Sequence, residues 1–454
     1  MSILENLQAI IGDRAIACDA IEGDRRGGDF MTRGHAPLAV VYPTSTEELS
    51  KVMALCNEAR QPVVPQGGLT GLSGGATPGS AGMVVVSMDR MRAIEEIDVD
   101  AQTITVQAGA VLQTVQEEAD AAGMFFPLDL GGRGSAQVGG LISTNAGGNR
   151  VLRYGMMRDL VMGIEAVLPD GRIISSLNKM LKNNTGYDLK QLFVGAEGTL
   201  GVITRANLKL YPKPASTVTA FCGLPDYAAA LAFLRRARSA LGGTLSAFEA
   251  MWADFYELAT QEARRPLEGR YPIYVLLDAL GSDPDADAAR FELMIASAIE
   301  AGEVEDAVIA QSTRETLDFW KIRELPAEFN RVFAPHIPFD VSTPTGSIGA
   351  FRDDVDARLK AAFPTLGAIY FGHIADANLH IGIQAAHGED PAAVKSVVYD
   401  TVRDWNGSVS AEHGIGTEKR KYLGFSRSPD ELGLMAAIKL ALDPNGILNP
   451  GKVL

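Results

Sequence analysis

Three polar, glycine-rich loops in the first half of the chain constrain its fold more than any other feature. Residues 65–76 read PQGGLTGLSGGA, residues 127–148 read PLDLGGRGSAQVGGLISTNAGG, and residues 183–201 read NNTGYDLKQLFVGAEGTLG. Consecutive glycines let backbone N–H groups converge on an anion, because no Cβ blocks close approach. The first loop follows a strand-like Pro62-Val63-Val64, and a pyrophosphate is the obvious anion. Neither GxGxxG opening a helix nor GxxxxGK[ST] is present, so the common nucleotide fingerprints do not apply. Alone, the first loop is equally well read as a tight structural turn. Three such loops together are better explained by one extended dinucleotide, with Ser143, Thr144 and Asn145 placed to bond a ribityl chain or flavin edge.

The surrounding pattern is mixed. Residues 38–42, 84–87 and 104–106 read as strands, and residues 46–58 read as a helix with Val52, Leu55 and Cys56 on one face. This predicts an α/β or α+β region. The segment YPKPA at 211–215 marks a break. Beyond it come helices at 228–240 and 285–300, a strand at 271–277, and a last helix at 429–441 leading into DPNGILNPGK.

A chain of 454 residues implies two or three domains, and 46% hydrophobic residues allow a sizeable core. The net charge of −15 argues against nucleic acid or an anionic membrane surface as the main partner. Cys18, Cys56 and Cys222 form no CxxC pair, so no zinc ribbon or iron–sulfur cluster can be built from them. Their sparse, odd count predicts a reducing, cytoplasmic setting. No leader pattern and no apolar run near the roughly 18 residues of a membrane span is visible.

Five of the 6 histidines lie in the last third of the chain. In IYFGHIADANLHIGI (369–383), a hairpin tip at Asp376 and Ala377 would set His373 directly opposite His380, with Cβ atoms about 4.5–5.5 Å apart. Without more, that is a cross-strand pair on a polar face. The segment VSAEHGIGTEKR (409–420) adds Glu412, which completes the three-ligand open set of catalytic zinc. The adjacent His413 is suited to act as a base near pH 7. His336 and His387 have no comparable support.

The three glycine loops, in order and with their separations, resemble the FAD domain of the FAD-linked oxidase family of the vanillyl-alcohol oxidase type. Within it the chain is most similar to D-2-hydroxyglutarate and D-lactate dehydrogenases, over nearly its whole length. The resemblance implies an α+β fold: a two-subdomain FAD-binding domain at 1–214, a substrate domain with an antiparallel sheet and the metal site at 215–425, and a C-terminal return at 426–454. It implies that Gly67, Gly68, Thr70, Gly71 and Leu72 cradle the pyrophosphate. Ser135, Gly139, Thr144, Asn145, Gly147, Glu197 and Val202 would line the flavin. Pro65, Pro127, Leu128, Gly148, Gly201 and Asn449 are counted with them. The flavin loops hold neither His nor Cys, so non-covalent FAD is expected.

The family segments G-H-x-G-D-G-N-x-H and G-E-H-G-x-G read GHIADANLH and AEHGIG here. Carried over, His373, His380 and Glu412 bind Zn²⁺ or a similar divalent metal, Asn378 contacts the substrate carboxylate, and His413 takes the hydroxyl proton. Ala375, Ala377 and Ala411 replace family glycines, which puts the turn geometry in question. Arg323 in FWKIRE matches a family Arg that meets a substrate carboxylate.

The implied reaction is oxidation of a D-2-hydroxy acid to the 2-keto acid, with hydride transfer to flavin N5. In HIPFDVSTP, Pro338 stands where hydroxyglutarate enzymes have a Lys for the distal carboxylate, with His336 or Arg331 as conceivable substitutes. A D-lactate-like or broader substrate is therefore expected. The alternatives are a D-2-hydroxyglutarate dehydrogenase and the flavin subunit of a glycolate oxidase-type complex. The electron acceptor would be a flavoprotein, quinone, cytochrome or oxygen, and a homodimer is compatible with the sequence.

Overall fold

The computed structural model describes residues 2–17, 28–385 and 389–454; Cys18 and His387 lie outside them. The apolar spacing at 46–58 becomes a helix at Thr46–Glu58. Ser45 caps it by accepting the Glu48 N–H, and Leu49, Val52, Met53 and Cys56 are its buried stripe.

The chain divides into two units. The first holds Met1–Gly147, Gly155–Lys213 and Glu412–Leu454. Among the described residues it contains two larger sheets and one two-stranded ladder. One has the strand order Ala15–Ala17, Ala39–Val41, Val84–Ser87, Val63–Gln66, with the last three parallel. These parallel strands are short Val-rich runs, buried as such sheets require. The other is a five-stranded antiparallel sheet in the order Ile94–Asp98, Thr103–Gln107, Val202–Lys209, Val161–Val167, Ile173–Ser176. A short ladder, Tyr211–Pro212 against Met124–Phe125, takes up the start of the proline break at 211–215.

The second unit holds Gly148–Tyr154 and Pro214–Ala411. Its seven-stranded sheet runs in the order Asp306–Ile309, Ser216–Leu224, Ile273–Gly281, Leu245–Trp252, Gly367–Gly372, Asn378–Gln384, His336–Ser342. Every neighbouring pair is antiparallel. Strand alternation puts Glu249, Met251, Phe371, His380 and Asp340 on one face. Phe255, Phe319, Ile322, Phe329 and Phe333 pack over that face from short helices and form its apolar cover. The fold is α+β. Among the described residues no helix is long and apolar enough to cross a membrane.

Two expected boundaries move. The return to the first unit comes at Glu412 rather than at 426, because Thr417 N–H bonds Ser73 O and Ile415 N–H bonds Glu197 within that unit. Residues 148–154 belong to the second unit, where the Arg153 guanidinium donates to Leu280 O.

The hairpin register also differs. His380 pairs with Phe371, not with His373. A 3-10 turn at Ile374–Asp376 takes His373 out of the strand as the residue before that turn. The loop is longer than a simple tip, so the pairing shifts by two residues and keeps the same face.

Candidate active site

The first unit builds an anion cradle. Among the described residues, no backbone N–H from Gly67 to Ser73 finds a hydrogen-bond partner. This run contains Gly67, Gly68, Thr70, Gly71 and Leu72 and directly follows Pro65 and Gln66 at the end of a strand. A Cβ at Gly68 would lie 1.8 Å from Ser135 O, so only glycine lets the two loops touch. The buried Ser73 Oγ, Gln137 Oε1 and Asn449 Oδ1 also lack partners. Unpaired donors and acceptors gathered around one loop fit a polar dinucleotide such as FAD.

The other expected flavin residues divide by role. Gly139 and Gly201 are explained by packing: a Cβ would lie 2.8 Å from Ala108 Cβ and 2.5 Å from Phe193 Cε1, respectively. Thr144 Oγ1 is turned back onto Gly140 O at 3.0 Å. Asn145 adopts φ 50° and accepts the Arg158 N–H at 2.8 Å. Pro127, Leu128, Gly147 and Gly148 flank these loops, Val202 begins a buried strand, and Asn449 donates to Gly75 O and Glu197 O.

Glu197 has a second task in the structure. Its carboxylate accepts the N–H groups of Ile415 at 2.7 Å and Gly416 at 2.8 Å. Burial pushes its pKa up, opposed by those bonds and by Lys419 and Lys452. It therefore anchors the loop that begins with Glu412 and His413, both half-buried.

In the second unit, His373 and His380 each offer a ring nitrogen within 4.8 Å of the other. Their ring centroids are 5.5 Å apart. Each has a carboxylate behind it. Glu249 Oε1 is 2.7 Å from His373 Nδ1, and Asp340 Oδ1 is 4.0 Å from His380 Nδ1. Two imidazoles backed by carboxylates are the donor chemistry of a zinc-type site. Ala411 ends this unit with its N–H 3.4 Å from Asp340 O. Asp340 is the register partner of His380. Glu412 follows Ala411 directly, one Cα step of about 3.8 Å.

Three residues expected to meet substrate already have contacts of their own. Arg323 is buried; its Nε donates to Glu249 Oε2 at 2.8 Å, and Nη2 is 3.3 Å from His373 Nε2. Asn378 spends both amide hydrogens on Asp340 Oδ1 at 3.0 Å and Val341 O at 3.1 Å. It has no donor left for a carboxylate; its partnerless Oδ1 is an acceptor suited to a hydroxyl. His336 begins the edge strand between Phe329 and Phe333, and burial pushes its pKa down.

Glu249 and Asp340 went unrecognised in the sequence. Both were visible as lone acids inside apolar strands, in LSAFEAMW and HIPFDVS. A buried acid needs a partner, but nothing local names it.

Residues 37–176 match the FAD binding domain, and residues 213–453 match the C-terminal domain of FAD linked oxidases. The chain belongs to the FAD-linked oxidase family. A protein of Stutzerimonas stutzeri named D-2-hydroxyglutarate dehydrogenase is 36% identical, with 100% of this chain and 98% of that one covered. The mitochondrial D-2-hydroxyglutarate dehydrogenase of Bos taurus is 38% identical, covering 99% of this chain and 83% of its own. Among solved structures, p-cresol methylhydroxylase superposes with a TM-score of 0.78 at 17% identity, over 99% of this chain and 96% of that one. That last likeness is one of fold.

Proposed function

We propose that this FAD-dependent dehydrogenase oxidises D-2-hydroxy acids with small or apolar side chains, with a divalent metal held by His373, His380 and Glu412. When bound, FAD supplies the hydride acceptor and the metal supplies Lewis-acid polarisation of the hydroxyl. His413 accepts the hydroxyl proton; its place beside Glu412, in the loop anchored by Glu197, supports that role. The Asn378 Oδ1 acceptor is available to orient the hydroxyl hydrogen. A reducing compartment agrees with Cys56 and Cys222, which are buried and unpaired.

The observation that carries the side-chain reading is the commitment of Arg323 to Glu249. Its charge is offset by a buried carboxylate before any substrate arrives. In the sheet row next to His380, Pro338 pairs with Gly382 and Gly382 with Ile369, so that row carries no charge. Neither conceivable substitute supplies one. Arg331 is exposed and bonded to Glu262 at 3.0 Å and Glu328 at 3.1 Å, and burial favours neutral His336. A missing charge-assisted bond is worth about 1.5–3 kcal/mol.

The similar proteins named for D-2-hydroxyglutarate favour a second reading, in which Arg323 still receives a distal carboxylate. Values of kcat/KM for D-lactate, D-2-hydroxybutyrate, D-malate and D-2-hydroxyglutarate with a dye acceptor separate the two. Dicarboxylates preferred by more than about tenfold, some 1.4 kcal/mol, would establish the second. Full turnover by the purified chain alone would exclude a subunit that needs a larger complex.

A further inference from the structure

We propose that Glu249 is a positioning residue that fixes His373 for metal ligation and ties Arg323 into the same contact. The inference rests on the metal reading above. Glu249 lies on Leu245–Trp252, whose residues are all buried, and is itself 1% exposed. A carboxylate buried that deeply is strongly disfavoured unless it is paired. Both its oxygens are used: Oε1 meets His373 Nδ1 at 2.7 Å and Oε2 meets Arg323 Nε at 2.8 Å.

The third side of the triangle decides the tautomer. Arg323 Nη2 lies 3.3 Å from His373 Nε2, and a guanidinium can only donate. In the arrangement proposed, Nε2 accepts from it. The ring proton sits on Nδ1 and is donated to Glu249. This holds the imidazole in the tautomer whose lone pair is on Nε2; a metal ligated there would take the place of the Arg323 Nη2 contact, while Arg323 Nε stays on Glu249. The mount is rigid, because the Glu249 strand is paired on both sides, with Ile273–Gly281 and with Gly367–Gly372. His380 Nδ1 lies 4.0 Å from Asp340 Oδ1.

The test compares FAD-bound wild type with Glu249→Gln. Glutamine offers one acceptor and one amide to two donors, so one contact must fail. Metal per FAD is measured by elemental analysis after dialysis against graded EDTA. The variant should keep its FAD, while the EDTA concentration that removes half the metal falls about 10- to 100-fold. Equal retention by a folded, FAD-bound variant overturns the proposal and leaves the metal reading standing. A wild type that holds no metal overturns both. Should the variant not fold, wild type answers alone. In metal-stripped, FAD-bound protein with ¹⁵N-histidine, long-range ¹⁵N–¹H correlations assigned with His373→Asn should show the proton of His373 on Nδ1. A proton on Nε2 overturns the proposal.

Discussion

Glu197 and Gly416 are 219 residues apart in sequence, yet the carboxylate of one accepts the backbone N–H of the other at 2.8 Å. The same carboxylate holds the Ile415 N–H, and a Cβ at Gly414 would come within 2.9 Å of Glu197 Oε1. Gly414 and Gly416 both adopt positive φ, at 78° and 49°. Acid and glycines together set the path of the chain just after Glu412 and His413.

Glu197→Gln should therefore loosen this loop. The glutamine amide would face a backbone donor, losing one charge-assisted bond worth about 1.5–3 kcal/mol. Turnover should fall at least about tenfold with flavin still bound. Unchanged kcat in a FAD-replete variant would show that the anchor does not position His413.

The metal reading predicts that His380→Ala keeps FAD, since the glycine cradle lies in the other unit, but loses nearly all turnover. Elemental analysis should give about one divalent ion per chain. Full activity after chelation, with loss of the metal verified, would contradict it.

Ala377 adopts φ 75° and ψ 15°, a left-handed conformation that costs an L-residue roughly 1–2 kcal/mol. Ala377→Gly removes that strain but adds about 0.5–1 kcal/mol of unfolded-chain entropy. The thermal midpoint of the FAD-bound protein should rise slightly. A fall would mean that the Ala377 methyl makes compensating contacts. Ala375, by contrast, has no positive φ, and its carbonyl accepts from Arg238.

Arg14 forms a two-pronged pair with Glu48, at 2.5 and 2.6 Å, joining the start of the chain to the Thr46–Glu58 helix. The Arg14 hydrogen bond lowers the Glu48 pKa from 4.5 to about 2 against the opposing effect of burial. A depressed folded pKa contributes stability that is present above 4.5 and lost as pH falls towards about 2. The pair is partly exposed, so about 1 kcal/mol is expected after screening. Glu48→Gln should lower the melting temperature at pH 7 and cease to matter near pH 2. A difference independent of pH would rule out the ion pair as its cause.

Local pattern decided much of this protein. The Thr46–Glu58 helix, the three glycine loops and the histidine-bearing hairpin were all legible, because spacing, caps and glycine runs act over a few residues. The family motifs carried the ligand candidates for the same reason. Tertiary structure decided the rest. The Ile374–Asp376 turn moved the hairpin register by two, since turn length depends on what the loop packs against. Glu249 meets His373 across 124 residues and Arg323 across 74. Nothing in LSAFEAMW names those partners, because a buried carboxylate announces a need for charge but not its source. The same contact changed Arg323 from a free cation into a neutralised one. Side-chain commitment of that kind exists only once separate strands and helices have met.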